Sequence, residues 1–189
     1  QSGQVIALNV LEKEKTDDYE VYIVKSDGSI IRNVTNHPDV AWTYHSIPHK
    51  LLFISDRGAC KRCYFLYSSG HDGQNVERVS NLQLEDSWMG SRRDGKELIV
   101  SGRIDTRIRH QLFLIDVASG SFRQITNEPG AMYRDPIFSP DGKWIVFAYK
   151  KDRTDRLGIE ELYIMKPNGS ERRRLTAYPA DDPFAKEYG

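Results

Sequence analysis

Long apolar runs are missing from this chain. No stretch approaches the roughly 18 residues of a membrane-spanning helix, and none resembles the apolar centre of a leader peptide. Net charge is missing too, because 27 basic and 27 acidic side chains cancel. That balance removes the electrostatic argument for nucleic acid or an anionic lipid surface, so neither partner nor membrane insertion is expected. Catalytic signatures are also absent: there is no G-x-S-x-G, no H-E-x-x-H and no glycine-rich phosphate loop. The expectation is therefore a protein that is not an enzyme and holds no cofactor. Helical periodicity is missing as well, which excludes the helical repeat architectures. The chain opens Gln1-Ser2-Gly3 without Met, and removal of a preceding piece, by a signal peptidase or by truncation, is expected.

Cysteine is scarce. The two present, Cys60 and Cys63, form Cys-Lys-Arg-Cys. A redox motif places its first cysteine at a helix N-terminus, whereas the flanks here, LLFISDRGA and YFLYSSG, read as strands. Zinc needs about four ligands and no second pair exists. Structural thiols or a local disulfide are expected ahead of redox chemistry and metal binding.

What the chain does have is a period. Val34-Thr35-Asn36, Val79-Ser80-Asn81, Ile125-Thr126-Asn127 and Leu175-Thr176-Ala177 recur along it. Aromatic strands running into turns keep the same order: VYIVKSDG, YFLYSSGHDG, LFLIDVASG and LYIMKPNG. So do the acids Asp39, Asp86, Asp135 and Asp182. Within one period, DPIFSP is a short strand and Pro140-Asp141-Gly142 a reversal, since Pro presets φ and Gly accepts a positive one. KWIVFAY (143–149) is apolar at successive positions, as in a strand buried on both faces. A polar hairpin follows, then the LYIMKPNG strand, then the charged outer strand ERRRLTA. Four-strand units of about 40 to 50 residues fit the blades of a β-propeller.

The run ITNEPGAMYRDPIFSPDGKWIVFAYKKDR, followed by ELYIMKPNGSERRRLT, is similar to the WD40-like (PD40) repeat of the TolB family of propellers. The second unit keeps Asp86, Asp94, Gly95 and Arg103 but loses both prolines. The first keeps Asp39, Ser55, Asp56 and Arg57 and lacks the Asp-Gly turn. The N-terminal strands lack a preceding DPxFSPDG element, and the closing DDPFAKEYG looks like it. The expected architecture is a single all-β domain over 1–189, a propeller of four-stranded antiparallel blades. Its units run over 1–36 plus 178–189, 37–81, 82–127 and 128–177, with the C-terminal strand closing a ring of four. TolB-like propellers commonly have six blades, so the count departs from the family. A piece of a longer propeller, or a ring completed by another copy, is the alternative.

Candidate chemistry is sparse. The repeated acids and Arg57, Arg103 and Arg153 recur with the fold, so they read as turn caps or inter-blade contacts, the arginines pairing with the acids. His37, His45 and His49 cluster, but His45-x3-His49 spacing suits a helix, and this segment reads as strand and turn around Pro48. Oligogalacturonate lyases with related repeats hold a divalent metal on propeller histidines. A metal-dependent polysaccharide lyase-like or glycan-binding propeller using His37, His45 and His49 is therefore the alternative function. Serine peptidases with a related propeller keep their nucleophile in a separate hydrolase domain, for which this chain has no room. Resemblance to TolB implies the periplasm and the Tol–Pal envelope system. The leading expectation is a non-catalytic propeller that binds a protein or peptide, with an envelope lipoprotein as one candidate partner. Aromatics and arginine dominate binding hot spots, so the expected contacts are Trp42, Tyr44, Trp88, Arg92, Arg93 and Tyr133, on or beside inner strands.

Overall fold

In the computed structural model, which describes residues 5–11, 19–29, 31–39, 41–105, 107, 110–152, 160–177 and 179, the Pro140-Asp141-Gly142 turn reverses the chain as its composition requires. Gly142 takes φ +68°, and its N–H donates to the Ser139 carbonyl at 2.8 Å. The Asp141 carboxylate accepts from the Ser139 hydroxyl at 2.6 Å and the Lys143 N–H at 3.0 Å. Asp94 and Gly95 repeat the device. The first unit lacks Asp-Gly, and His49 takes the positive φ of 66° instead, a conformation costing an L-residue roughly 1–2 kcal/mol.

The chain forms four antiparallel sheets, and turns of this kind join strands within them. The first contains β1 (Val5–Leu11), β2 (Tyr19–Lys25) and β3 (Ile31–Asn33). The second contains β4 (Ala41–Ile47), β5 (Lys50–Ser55), β6 (Phe65–Ser69) and β7 (Glu77–Arg78). In the third, β8 (Gln83–Leu84) and β9 (Gly90–Ser91) both pair with β10 (Glu97–Arg103), followed by β11 (Gln111–Asp116) and β12 (Phe122–Gln124). The fourth is β13 (Met132–Phe138), β14 (Ile145–Lys150), β15 (Glu161–Met165) and β16 (Arg173–Arg174). The opening strand of each four-strand unit is irregular at one place. The register slips between Trp42 and His45 in β4 and between Arg134 and Ile137 in β13, and the chain leaves the ladder between β8 and β9. Such bulges bend a strand and redirect its side chains.

The recurring hydroxyls have a common structural role. Thr35, Thr126 and Thr176 each accept the N–H of the residue 14 positions earlier, Val21, Leu112 and Leu162, at 2.9 Å. The latch ties the outgoing chain to the third strand of each unit. Ser80 differs, its hydroxyl taking the Leu82 N–H at 3.3 Å. Cys60 and Cys63 are joined as a local disulfide in the β5–β6 connection.

Three apolar cores lie between successive sheets. Leu51 and Phe53 face the first sheet, whereas Leu52 and Ile54 face the third. Leu98 and Val100 share that second core, while Ile99 joins the third core with Ile145 and Phe147. The KWIVFAY strand departs from the expected two-faced burial. Ile145, Phe147 and Tyr149 are buried, but Val146 and Ala148 are only half-buried, because no further sheet packs on that side among the described residues. The segment expected to close a four-blade ring, 181–189, lies outside the described residues. Among those described, no sheet closes on itself, and packing runs from each sheet to its successor. No helix there is long and apolar enough to cross a membrane.

Candidate functional site

Between the tips of the β4–β5 and β9–β10 hairpins the second and third sheets part to form an open cleft of about 420 Å³. Ile47 and Pro48 line one wall, Arg92 and Gly95 the other. The close approach needs glycine at 95, where a Cβ would lie 3.0 Å from the Ile47 Cβ. Deeper in, His45 Nε2 lies 2.5 Å from the Ser91 hydroxyl oxygen. Burial lowers the His45 pKa, so the imidazole is neutral at pH 7. Arg92 turns away from the opening. Its Nε donates to Glu97 at 2.6 Å and its Nη1 to the Gly142 carbonyl at 2.8 Å, with the guanidinium 4.7 Å over the Phe138 ring. Arg93 lines the cleft, is exposed, and has no partner among the described residues.

At the irregular point of the inner strands the chemistry is structural. Asp135, at φ +49°, accepts from the Ser87 hydroxyl at 3.1 Å and the Trp88 N–H at 3.0 Å. Its own N–H donates to Ser87 Oγ at 2.8 Å. This acid does bond the neighbouring blade's backbone. Asp86 beside it is pushed up to about 6, first by burial and then by Glu85, against the pull of Arg134 and Arg62. Asp39 pairs with His37 at 3.3 Å, and Asp182 lies outside the described residues. Arg57 feels the charges of Glu20 and of the repeat acid Asp39, but its hydrogen bonds go elsewhere. Arg57 donates to the Thr35 carbonyl and the Ser55 hydroxyl, each at 3.2 Å. The buried Arg103 Nε has no hydrogen-bond partner among the described residues, and Arg153 lies outside them.

The expected contacts whose side chains are described do not form one surface. Arg92 and Arg93 reach the cleft. Trp42 is half-buried, stacked on Tyr19 at 5.0 Å between ring centres. Trp88 is 61% exposed. Tyr133 is buried in the third core, its hydroxyl donating to Glu128 at 2.8 Å while Arg172 donates to it at 2.7 Å. The side chain of Tyr44 lies outside the described residues. His37, His45 and His49 are not gathered either: no group of three or more His, Cys, Asp or Glu able to hold a metal ion occurs among the described residues. The residue missed from sequence is Ser91. It holds the register place of Phe138, opposite Leu98 as Phe138 is opposite Ile145, and a polar residue at an apolar repeat position was the available signal.

No protein-family model matches the chain, so the WD40-like repeat rests on the quoted residues. The chain is 33% identical over 169 residues to YuxL, an uncharacterized peptidase of Bacillus subtilis, covering 86% of this chain and 23% of that protein. It is 30% identical over 119 residues to the Tol-Pal system protein TolB of Francisella tularensis, covering 61% of this chain and 25% of that protein. It thus spans about a quarter of these relatives' length. A puromycin-hydrolyzing peptidase of Mycobacterium tuberculosis superposes with a TM-score of 0.73 at 15% identity, over 97% of this chain and 29% of that one. TolB of Acinetobacter baumannii gives 0.70 at 18%, over 93% and 42%. An oligogalacturonate lyase in complex with manganese gives 0.61 at 18%, over 87% and 46%. The fold is that of a TolB-like propeller. The peptidase likenesses overturn the expectation that the chain stands outside enzymes, which rested on motifs missing from these residues alone.

Proposed function

We propose that the chain is the peptide-recognising propeller region of a longer protein, and that in the whole protein this recognition serves peptide hydrolysis. The observation that carries the reading is the 33% identity to a peptidase over 86% of the chain. The absence of nucleophile motifs fits a division of labour in which hydrolysis belongs to residues outside these 189 and the propeller selects what reaches them. Of the expected contacts, Trp88 and Arg93 are exposed, which supports them as the side chains that meet a ligand. A second reading, an envelope scaffold binding a protein such as a lipoprotein, has the TolB likeness behind it. Both readings suit an extracytoplasmic location. The Cys60–Cys63 disulfide favours it, since oxidising compartments preserve such bonds.

The test is retention of peptides by the immobilised chain. A protease digest of a soluble extract is passed over it, and the eluate is read by mass spectrometry beside the undigested extract. Enrichment of short peptides over intact proteins is expected. Retention of one intact protein and no peptides would replace this reading with the scaffold.

A further inference from the structure

The two gaps between the second, third and fourth sheets hold equivalent positions filled by different chemistry. His45, Gly90 and Ile137 sit opposite Leu52, Ile99 and Val146, each on the side of its sheet that looks along the chain to the next. Ser91 and Phe138 sit opposite Leu98 and Ile145, looking back. Between the third and fourth sheets the gap is plugged. Gly90 admits the β13 backbone so closely that a Cβ there would lie 3.0 Å from the Ile137 Cα. Phe138 fills the space, 7% exposed, beneath the Arg92 guanidinium. Between the second and third sheets the same place holds His45 and Ser91, and the exchange of a phenyl ring for a hydroxyl leaves the cleft open.

Among the described residues, the open gap is lined without a carboxylate. Arg93 stands where the third unit has Pro140, and it is unpartnered among the described residues. In the tautomer that carries its proton on Nε2, the neutral imidazole donates to Ser91 Oγ and leaves the serine proton for another acceptor. Two kinds of donor, a planar cationic fork and a held hydroxyl, then face the same space. That combination matches a carboxylate, which accepts several charge-assisted hydrogen bonds at once. The volume lies at the small end of ligand pockets, suited to the end of a chain rather than to a chain passing through.

We propose that the cleft between the second and third sheets binds the C-terminal carboxylate of a peptide, held by the Arg93 guanidinium and the Ser91 hydroxyl, with His45 as a positioning residue. This rests on the peptide reading above and names where one end of the peptide is anchored.

The test is fluorescence anisotropy on the full chain with three N-terminally labelled probes. They are a short neutral peptide acid, its C-terminal amide, and an amide carrying one internal glutamate. The acid is expected to bind at least about tenfold tighter than the neutral amide, the scale of one charged hydrogen bond in a desolvated site. Arg93→Ala should bring the acid down to the amide, because its side chain is exposed and its loss leaves the cores intact. Ser91→Phe, which copies the plug of the neighbouring gap, should abolish the preference while circular dichroism shows an unchanged β spectrum. Equal binding of acid and neutral amide, with both bound, overturns the carboxylate site and leaves the peptide reading standing. If the internal-glutamate amide equals the acid and responds to Arg93→Ala, the terminal assignment falls in favour of an acidic side chain. Failure of every peptide to bind overturns the inference and the peptide reading together, and Arg93-dependent binding of a labelled oligogalacturonate would then assign the cleft to an acidic glycan.

Discussion

Strands β10 and β14 hold the same place in successive sheets and are composed alike, yet they are buried differently. Leu98, Ile99 and Val100 of β10 are 0, 0 and 2% exposed. In β14, Ile145, Phe147 and Tyr149 are buried while Val146 and Ala148, which alternate with them, are not. The open side continues through Ile137 and Leu162, 58% and 45% exposed. At the other end of the stack Ile6 is half-exposed as well. A blade is hydrophobic on both faces and gains its stability from neighbours on each side. An apolar run in a strand therefore states a demand for two covers, and only a second neighbour meets it.

Truncation on the two kinds of face should separate them, starting from the largest effect. Phe113, 1% exposed in the core between the second and third sheets, should cost about 3–5 kcal/mol as Phe113→Ala, the usual loss for a buried aromatic. Ile164, half-buried on the open side, should cost about 1 kcal/mol or less as Ile164→Ala. Urea unfolding of the purified chain checks both. Comparable losses at the two positions would mean that the open side is covered in solution and would break the contrast.

The sequence carried the periodic part of this fold because the period is written in short-range chemistry. Pro140-Asp141-Gly142, the hydroxyls at 35, 126 and 176, and Asp135 make bonds within a unit or to an adjacent one, so each leaves a trace that recurs in several of the repeats. The cleft left a fainter trace. His45 and Ser91 meet across 46 residues, and nothing local to either predicts the other. Tyr133 was legible as an aromatic but not as a buried one, because its cover comes from Glu128 and Arg172 on two other turns of the chain. Two-faced burial of residues 143–149 was a sound inference about composition that could not reveal which neighbour was present.

Between these extremes lies the polar staple joining the third and fourth sheets. Asp135→Ala removes an acceptor from both the Ser87 hydroxyl and the Trp88 N–H and forces alanine into positive φ. A loss of about 2 kcal/mol is expected. Asp135→Asn keeps an acceptor and tolerates that backbone, so it should lose about half as much, a difference readable by the same urea method. Asp86, beside the staple, tests its charge balance through pH. Its carboxyl is raised to about 6 from an ordinary 3.8, so the folded chain binds this proton more tightly than the unfolded one. The group's contribution therefore improves as pH falls from about 6 toward 3.8, and its penalty is complete above 6. Relative to wild type, Asp86→Asn should gain more stability at pH 7 than at pH 5. An identical gain at both pH values would show that Asp86 titrates normally.

The smallest expected effect is also the sharpest test of the open face. Leu162 stands on β15 with 45% of its surface exposed, outside all three cores. In the chain by itself, Leu162→Lys should change stability by no more than about 0.5 kcal/mol, because the lysine stem covers the same apolar ground and its ammonium reaches water. Where another sheet lies on this face, the same charge is buried without a partner and costs several kcal/mol. Urea unfolding combined with sedimentation velocity distinguishes the two situations. An unchanged midpoint and an unchanged sedimentation coefficient keep β14 and β15 as an uncovered end. A lowered midpoint together with a smaller particle would show that a second copy supplies the cover that β10 receives from within its own chain.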